Sequence, residues 1–407
     1  KNLLVAAAAG SGKTATLVER IVQLVASGVC DIDKMLIVTF TNAAANEMRA
    51  RIHRAIAAKI STAADSERLE RQQILLSGAS IMTFHAFCLS VLKRHFAKIN
   101  LDPKFREADE HELALLKQDV IENLFEKNYA ANDTAFRKFA DNFGGNVHGD
   151  SDLHALIIKL HKFAQSRPYP RDWLNSLVTL YENPETFTLA DGISWLDFVK
   201  NFALQQAQSV ISFSRADCDA VSKILRAKCF DADSDLIHDL AGAARNWDSL
   251  RAAIQVLDFK RFDAKKIPPE LKDALKSRRD AYKSKIQSLG KNLVTATTAE
   301  IAAEMKSLAP SIRQLVKVTL DFDAAFTAAK RDKNIIDFDD MEHLALEIFN
   351  ADTATAAAYR EKFSVIMVDE YQDTNGVQEE IISKIVRANN FFAVGDVKQS
   401  IYRFRNA

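Results

Sequence analysis

The sequence predicts an α/β fold in which a parallel sheet is split, along the chain, by a mostly α-helical inserted domain. Three observations predict it. Between Leu3 and Phe96, short β-rich runs alternate with helical patterns. From Asp109 to about Ala325, apolar residues recur at helical spacing and β-rich runs are nearly absent. Two continuous apolar runs, residues 363–368 and 391–394, then restore the α/β character. Alternation of strand and helix argues for parallel pairing, and apolar runs without polar alternation fit strands covered on both faces. The predicted organisation is therefore one α/β domain, residues 1–108 and 326–407, interrupted by a helical domain at 109–325.

Each element follows from local pattern. Leu3-Leu4-Val5-Ala6-Ala7 predicts the first strand, and Thr14 to Ala26 the first helix. Leu36-Ile37-Val38 predicts a second strand, with a helix over residues 42–60. Ser80-Ile81-Met82-Thr83 predicts a third, before a helix that carries Phe87, Val91 and Phe96. In the insert, residues 112–125, 153–163 and 195–210 keep a helical period. Only 7 Pro and 12 Gly occur in 407 residues, so long helices are seldom interrupted.

Composition narrows the classes. Hydrophobic content of 48% and charged content of 27% are those of a globular protein. Length suggests two or three domains, at roughly 150 residues each. Lys and Arg total 54, as do Asp and Glu, so no overall basic excess favours nucleic acid. Any such site must be a local patch. Cys30, Cys88, Cys218 and Cys229 form no Cys-x-x-Cys pair, which argues against zinc and redox motifs. Scattered thiols fit a reducing compartment. With no signal-peptide pattern and no apolar run of membrane-spanning length, the expected location is the cytoplasm.

Two motifs carry chemistry. Ala7-Ala8-Ala9-Gly10-Ser11-Gly12-Lys13-Thr14 lies between the first strand and the first helix, the context that a phosphate-binding loop needs. Gly10 and Gly12 lack Cβ, so backbone N–H groups can curl around anionic oxygens, and the helix N-terminus adds positive partial charge. Lys13 is the residue to reach the β- and γ-phosphates of ATP, and Thr14 the one to place a hydroxyl on Mg²⁺. Ala7 stands where the strict pattern has Gly. The bland alternative is a Gly-bearing turn with no ligand. The second motif, Asp369-Glu370-Tyr371-Gln372-Asp373-Thr374, follows the run 363–368. Carboxylates at the C-terminal end of a buried parallel strand face the ligand crevice. Asp369 is suited to Mg²⁺, and Glu370 to polarising a water for attack on the γ-phosphate. Alone, that motif reads better as a solvated acidic loop; its pairing with the phosphate-loop sequence is what favours the functional reading. Gln399, after the last strand, is placed to sense the γ-phosphate.

Together these pieces resemble the superfamily 1 DNA helicases of the UvrD/Rep/PcrA type, six motifs in order. Residues 7–14 resemble motif I, 38–48 motif Ia, Thr83-Phe84-His85-Ala86-Phe87-Cys88 motif Ib, and Asp369-Glu370-Tyr371-Gln372 the DExQ form of motif II. Asp337-Phe338-Asp339-Asp340 is similar to the acidic motif where that family's chain re-enters its first motor domain, and residues 395–405 to motif III. Within the family, runs 5–14 and 395–405 look most like the AddA-type helicase/nuclease subunits. The resemblance implies a RecA-like domain 1A, split around a helical domain 1B. It also implies ATP and Mg²⁺ as cofactors, a 3′→5′ motor in double-strand-break repair, and an AddB-like partner subunit. It places Phe40, Thr83, His85, Tyr402 and Phe404 against single-stranded DNA, and pairs Arg405 with Glu370 beside ATP. Aromatic faces there make sense, because stacking grips every base alike; packing in the core is the alternative for Phe40 and Phe404. The basic stretch from Lys260 to Lys285 fits either a solvated face or a grip on duplex DNA.

The family's transition-state arginines belong to a second motor domain, beyond these motifs, and an arginine finger is worth roughly 10³–10⁵ in rate. The expectation is thus a piece of a longer protein that binds nucleotide but hydrolyses little alone. Competing readings are a plain UvrD-like or RecB-like repair helicase, a nucleotide-gated DNA-binding module without turnover, and a small-molecule kinase. A kinase has no use for the runs resembling motifs Ia, Ib and III.

Overall fold

In a computed structural model, the described residues are 2–6, 12–60, 66–144, 150–189, 192–225, 228–262, 269–396 and 398; side chains at 222–229 are also left undescribed. The elements run β1 (Leu3–Ala6), α1 (Lys13–Ala26), β2 (Met35–Thr39), α2 (Asn42–Ile60), α3 (Ser66–Leu75), β3 (Ser80–Thr83), α4 (Phe84–His95), β4 (Arg106–Glu107), α5 (Glu110–Ala130), α6 (Thr134–Phe143), α7 (Ser151–Gln165) and α8 (Pro170–Glu182). There follow α9 (Trp195–Leu225), α10 (Lys228–Ala243), α11 (Trp247–Gln255), α12 (Pro269–Asn292), α13 (Thr298–Asp332), β5 (Ile335–Ile336), α14 (Phe338–Ala351), α15 (Thr353–Lys362), β6 (Val365–Val368), α16 (Gly376–Ile385) and β7 (Phe391–Gly395). Among the described residues, no helix is long and apolar enough to cross a membrane.

The chain divides into two compact units, Lys1–Leu174 with Gln314–Ala407, and Asn175–Arg313. The first holds a five-stranded parallel sheet in the order β1-β7-β6-β2-β3. The registers Leu36↔Ile366 and Val38↔Val368 place β2 beside β6, although some 330 residues separate them in sequence. Period-two alternation sends successive side chains to opposite faces. Met35 and Ile37 of β2, Met367 of β6 and Val394 of β7 join a core with α1, α2 and α3. Leu36, Val38, Ile366 and Ala393 join a second core with α4, α14, α15 and α16. With helices on both faces, all five residues of β2 are buried; each such Val, Leu or Ile contributes about 1.5–3 kcal/mol. Phe363, read from sequence as strand, instead ends α15 and is buried in the second core.

A third cluster in the same unit joins α5, α6 and α7 to the C-terminal part of α13 through Phe125, Phe136, Ile157 and Phe322. A two-stranded pair, β4 with β5, lies beside it. The compact boundary thus falls at 175 and 313, inside the 109–325 stretch. Helical period reveals one apolar face per helix but not which neighbour covers it.

The second unit packs α9 to α12 around Leu204, Ala207, Ile211, Cys218 and Val221, a helical repeat on α9, with Phe230, Trp247 and Ile286 opposite. Asp233, in the Asp231-x-Asp233-x-Asp235 run, is buried in an ion pair with Arg279: Arg279 Nε donates to Asp233 Oδ2 at 2.6 Å, and the Tyr282 hydroxyl donates to the same oxygen. Two members of the basic stretch are likewise committed locally. Arg279 is buried, and Arg278 donates to Asp217.

Candidate functional site

The C-terminal ends of the sheet strands collect the predicted residues in one row. β1 leads to the phosphate-loop sequence, β7 to Asp396, β6 to Asp369 and Glu370, β2 to Phe40 and β3 to His85. In an open parallel sheet this is the ligand-binding edge. Ala7, Ala8, Ala9, Gly10, Ser11, Gln399, Tyr402, Phe404 and Arg405 lie outside the described residues.

The half that carries the phosphate-loop and acidic motifs is built from β1, β7 and β6. Gly12 takes φ 84°, ψ 28°, a left-handed conformation that glycine adopts without Cβ strain, and its carbonyl accepts the Thr16 N–H at 2.8 Å. α1 therefore starts at Lys13. Lys13 is buried, and its Nζ lies 2.9 Å from Glu370 Oε2. Thr14 Oγ1 sits 3.5 Å from Asp369 Oδ2, the outer limit of a hydrogen bond. Residues some 355 positions apart thus converge.

Glu370 itself has φ 54°, ψ 49°, left-handed for a residue with a Cβ. Its neighbours hold it there. Its N–H donates to Asp369 Oδ1 at 3.1 Å, its Oε2 accepts from Gln372 Nε2 at 2.6 Å, and its carbonyl accepts from the Asp373 N–H at 2.9 Å. Gln372 also reaches β7's exit, where its Oε1 accepts from the Asp396 N–H at 2.8 Å. That approach leaves little room at Gly395: a Cβ there would lie 2.8 Å from Gln372 Oε1 and 3.2 Å from its backbone nitrogen, so Gln372 would have to shift.

The two carboxylates are pushed apart electrostatically. Burial and the charge of Glu370 raise Asp369 above the ordinary carboxylate value. Burial would raise Glu370 too, but hydrogen bonds from Gln372 and Lys13 outweigh it and hold Glu370 low. A hydroxyl and one carboxylate are hard oxygen ligands. That sparse set suits Mg²⁺, which binds one or two carboxylates plus phosphate and water rather than an all-protein cage.

The other half is built from β2, β3 and α14. Phe40 is half-buried directly after β2. Thr83 is buried, and its Oγ1 caps α4 by accepting from the Ala86 N–H at 3.2 Å; its O–H hydrogen remains to donate. His85, half-exposed, has Nε2 3.2 Å from Glu342 Oε1 and its ring edge-on to Phe338 at 4.8 Å. Phe338 is 48% exposed, although it opens a helix within the α/β unit.

The acidic motif Asp337-Phe338-Asp339-Asp340 forms that opening. Asp337 and Asp340 make a reciprocal capping box at the start of α14, and Lys330, buried beneath, donates to Asp337 at 2.9 Å and to Asp340 at 2.7 Å. Phe338 and Glu342 were not singled out from sequence as site residues. A contact with His85 is the signal that marks both, and it spans over 250 positions.

Comparison with known proteins identifies the family. The UvrD/REP helicase N-terminal domain matches residues 1–407. ATP-dependent helicase/nuclease subunits of the AddA type are similar over the whole chain: 40% identical in Geobacillus thermodenitrificans, 39% in Alkaliphilus oremlandii and 37% in Pelotomaculum thermopropionicum. In each case the match covers 100% of this chain and 34% of the relative, so the chain spans about a third of their length. A parallel sheet with its acidic and phosphate-loop residues at one edge, matched end to end by that domain, makes this chain a member of the UvrD/REP helicase N-terminal domain family.

Proposed function

We propose that the chain is the nucleotide- and DNA-binding front of an ATP-dependent DNA helicase of the AddA helicase/nuclease kind, acting in double-strand-break repair with 3′→5′ polarity. The observation that supports it most is the convergence of Lys13 and Thr14 with Asp369 and Glu370 at the exits of β1 and β6. ATP-Mg²⁺ is the ligand whose charges fit that set.

In this reading, the residues of the loop from Ala7 to Gly12 cradle phosphate oxygens with their N–H groups. Lys13 leaves Glu370 for the β- and γ-phosphates, and Gln399 and Arg405 complete the pocket. Thr14 and Asp369 hold Mg²⁺, which would neutralise charge on the phosphates. Glu370, freed from Lys13 and still held by the hydrogen bond from Gln372, polarises the attacking water. Phe40, Phe338, Tyr402 and Phe404 offer faces for stacking on single-stranded DNA, while Thr83 and His85 meet its backbone. Residues 1–108 and 326–407 serve as domain 1A and 109–325 as domain 1B, with its basic stretch available to duplex DNA. Stepping requires a second motor domain closing on ATP, the expected partner is AddB-like, and the setting is the bacterial cytosol.

The test is single-turnover hydrolysis by the full-length protein with and without single-stranded DNA. DNA-stimulated turnover that vanishes in Glu370→Gln while ATP stays bound is the expected result. Undiminished turnover in that variant would remove Glu370 from its role.

A further inference from the structure

Glu342 stands out among the groups this mechanism does not use. It lies on α14 and is only 4% exposed, between Met341, Ala345 and Leu346, which are core residues. Its carboxylate gathers three partners from two other helices. Oε2 accepts from Asn375 Nδ2 at 2.9 Å, Oε1 accepts from Gln378 Nε2 at 2.6 Å, and Oε1 lies 3.2 Å from His85 Nε2. Burial would raise its pKa, yet these partners outweigh burial and hold it below the ordinary glutamate value, so the group is charged.

A buried charge of this kind is poor evidence for stability, since an apolar side chain of similar volume often serves as well or better. What the charge does supply is connection. His85 opens α4 at the proposed DNA edge. Asn375 caps α16, its Oδ1 accepting from the Gln378 N–H at 2.8 Å. It stands two positions after the turn Tyr371–Asp373, which begins at Glu370. One carboxylate therefore touches the residue facing DNA and the residue that anchors the loop of the proposed base.

We propose that Glu342 is a positioning residue that couples single-stranded DNA at His85 and Phe338 to the setting of Glu370, by way of Asn375. The inference rests on the helicase reading above. DNA that engages His85 changes what Glu342 must hold, and the Asn375 cap carries the change into the turn ahead of it. Spatial contiguity does not itself establish coupling, so the test measures the coupling.

In the full-length protein, ATP hydrolysis is measured with and without oligo-dT, alongside thermal melting. Glu342→Ala is expected to cut the DNA-stimulated kcat about tenfold, within the usual range of coupling between sites, and to leave the DNA-free rate within about twofold. Glu342→Gln must turn its amide nitrogen toward a donor, Asn375 Nδ2 on one side or Gln378 Nε2 on the other, and should lose a similar share. Adding Asn375→Asp reverses donor and acceptor while still capping α16, since Asp caps as well as Asn. The pair Glu342→Gln with Asn375→Asp should recover at least about half of the stimulation while the DNA-free rate stays put, whereas a merely structural rescue would raise both rates and the melting temperature together. Equal losses with and without DNA in Glu342→Ala, or no recovery in the paired variant, would overturn the coupling. If Glu342→Ala does not fold, the two Gln variants decide alone. A wild-type protein whose hydrolysis ignores DNA overturns the helicase reading and this inference with it, whereas a stimulated wild type with an equally stimulated Glu342→Ala overturns only the inference.

Discussion

The two halves of the sheet edge prepare for ligands in opposite ways. At the exits of β1, β6 and β7, charged side chains already satisfy one another: Lys13 sits on Glu370, and Gln372 joins Glu370 to Asp396. A ligand entering there must replace those pairs, so only a ligand of high charge density gains. At the exits of β2 and β3, polar groups are bound to scaffold instead, Thr83 to the start of α4 and His85 to Glu342. The aromatic surface of Phe338 is left open. A ligand there displaces little and stacks. On the proposed function, the difference would let one sheet edge hold a charge-selective pocket beside a sequence-tolerant grip.

Perturbing either half alone should expose the division. The largest effect is expected from Glu370→Gln, a loss of roughly 10²–10⁴ in kcat, with single-stranded DNA affinity unchanged in a filter-binding assay. Lys13→Ala should cost roughly 10²–10³ in kcat and again spare DNA binding; a parallel fall in DNA affinity would show that the halves are one site. Phe338→Ala should do the reverse, removing roughly 1–3 kcal/mol of DNA affinity with the DNA-free ATPase rate intact, as read by fluorescence anisotropy and phosphate release.

The smallest effect concerns the capping box at the start of α14. Burial and the charge of Asp337 push Asp340 up from 3.8 to about 6. A raised folded-state value means that its stabilising contribution is fully present below 3.8 and is lost as pH rises through about 6. Burial would raise Asp337 too, but Lys330 holds it low, so its contribution is present above 3.8 and lost as pH falls through its depressed value. Asp340→Asn should therefore flatten the melting-temperature profile between pH 3.8 and about 6, while the acid limb due to Asp337 stays.

The half proposed to bind nucleotide was legible in sequence because its motifs are local. Gly12, Lys13 and Thr14 are consecutive, as are Asp369 and Glu370, and each set follows a strand whose apolar run announces burial on both sides. The sheet itself was legible for the same reason. Much of the other half was not. Glu342 lies on an amphipathic helix, where a glutamate reads as solvent-facing, and its meaning depends on His85 and Asn375, which are distant in sequence. Phe338 reads as part of an acidic motif until His85 is seen beside it. β4 and β5, two residues each, carry no period at all. The compact unit 175–313 is likewise invisible to periodicity, because α5 and α9 both bury apolar residues at helical spacing but feed different cores.

Gly395 has a consequence for anyone who reads function from tolerance to substitution. It holds no ligand and donates no proton, yet the smallest replacement, alanine, would press on both the side chain and the backbone of Gln372. A saturation survey would register a loss there beside those at Lys13 and Glu370. Sensitivity there would report the clearance between two loops rather than any chemistry of its own, and only a survey that scores expression apart from turnover could tell such a spacer from a reactant.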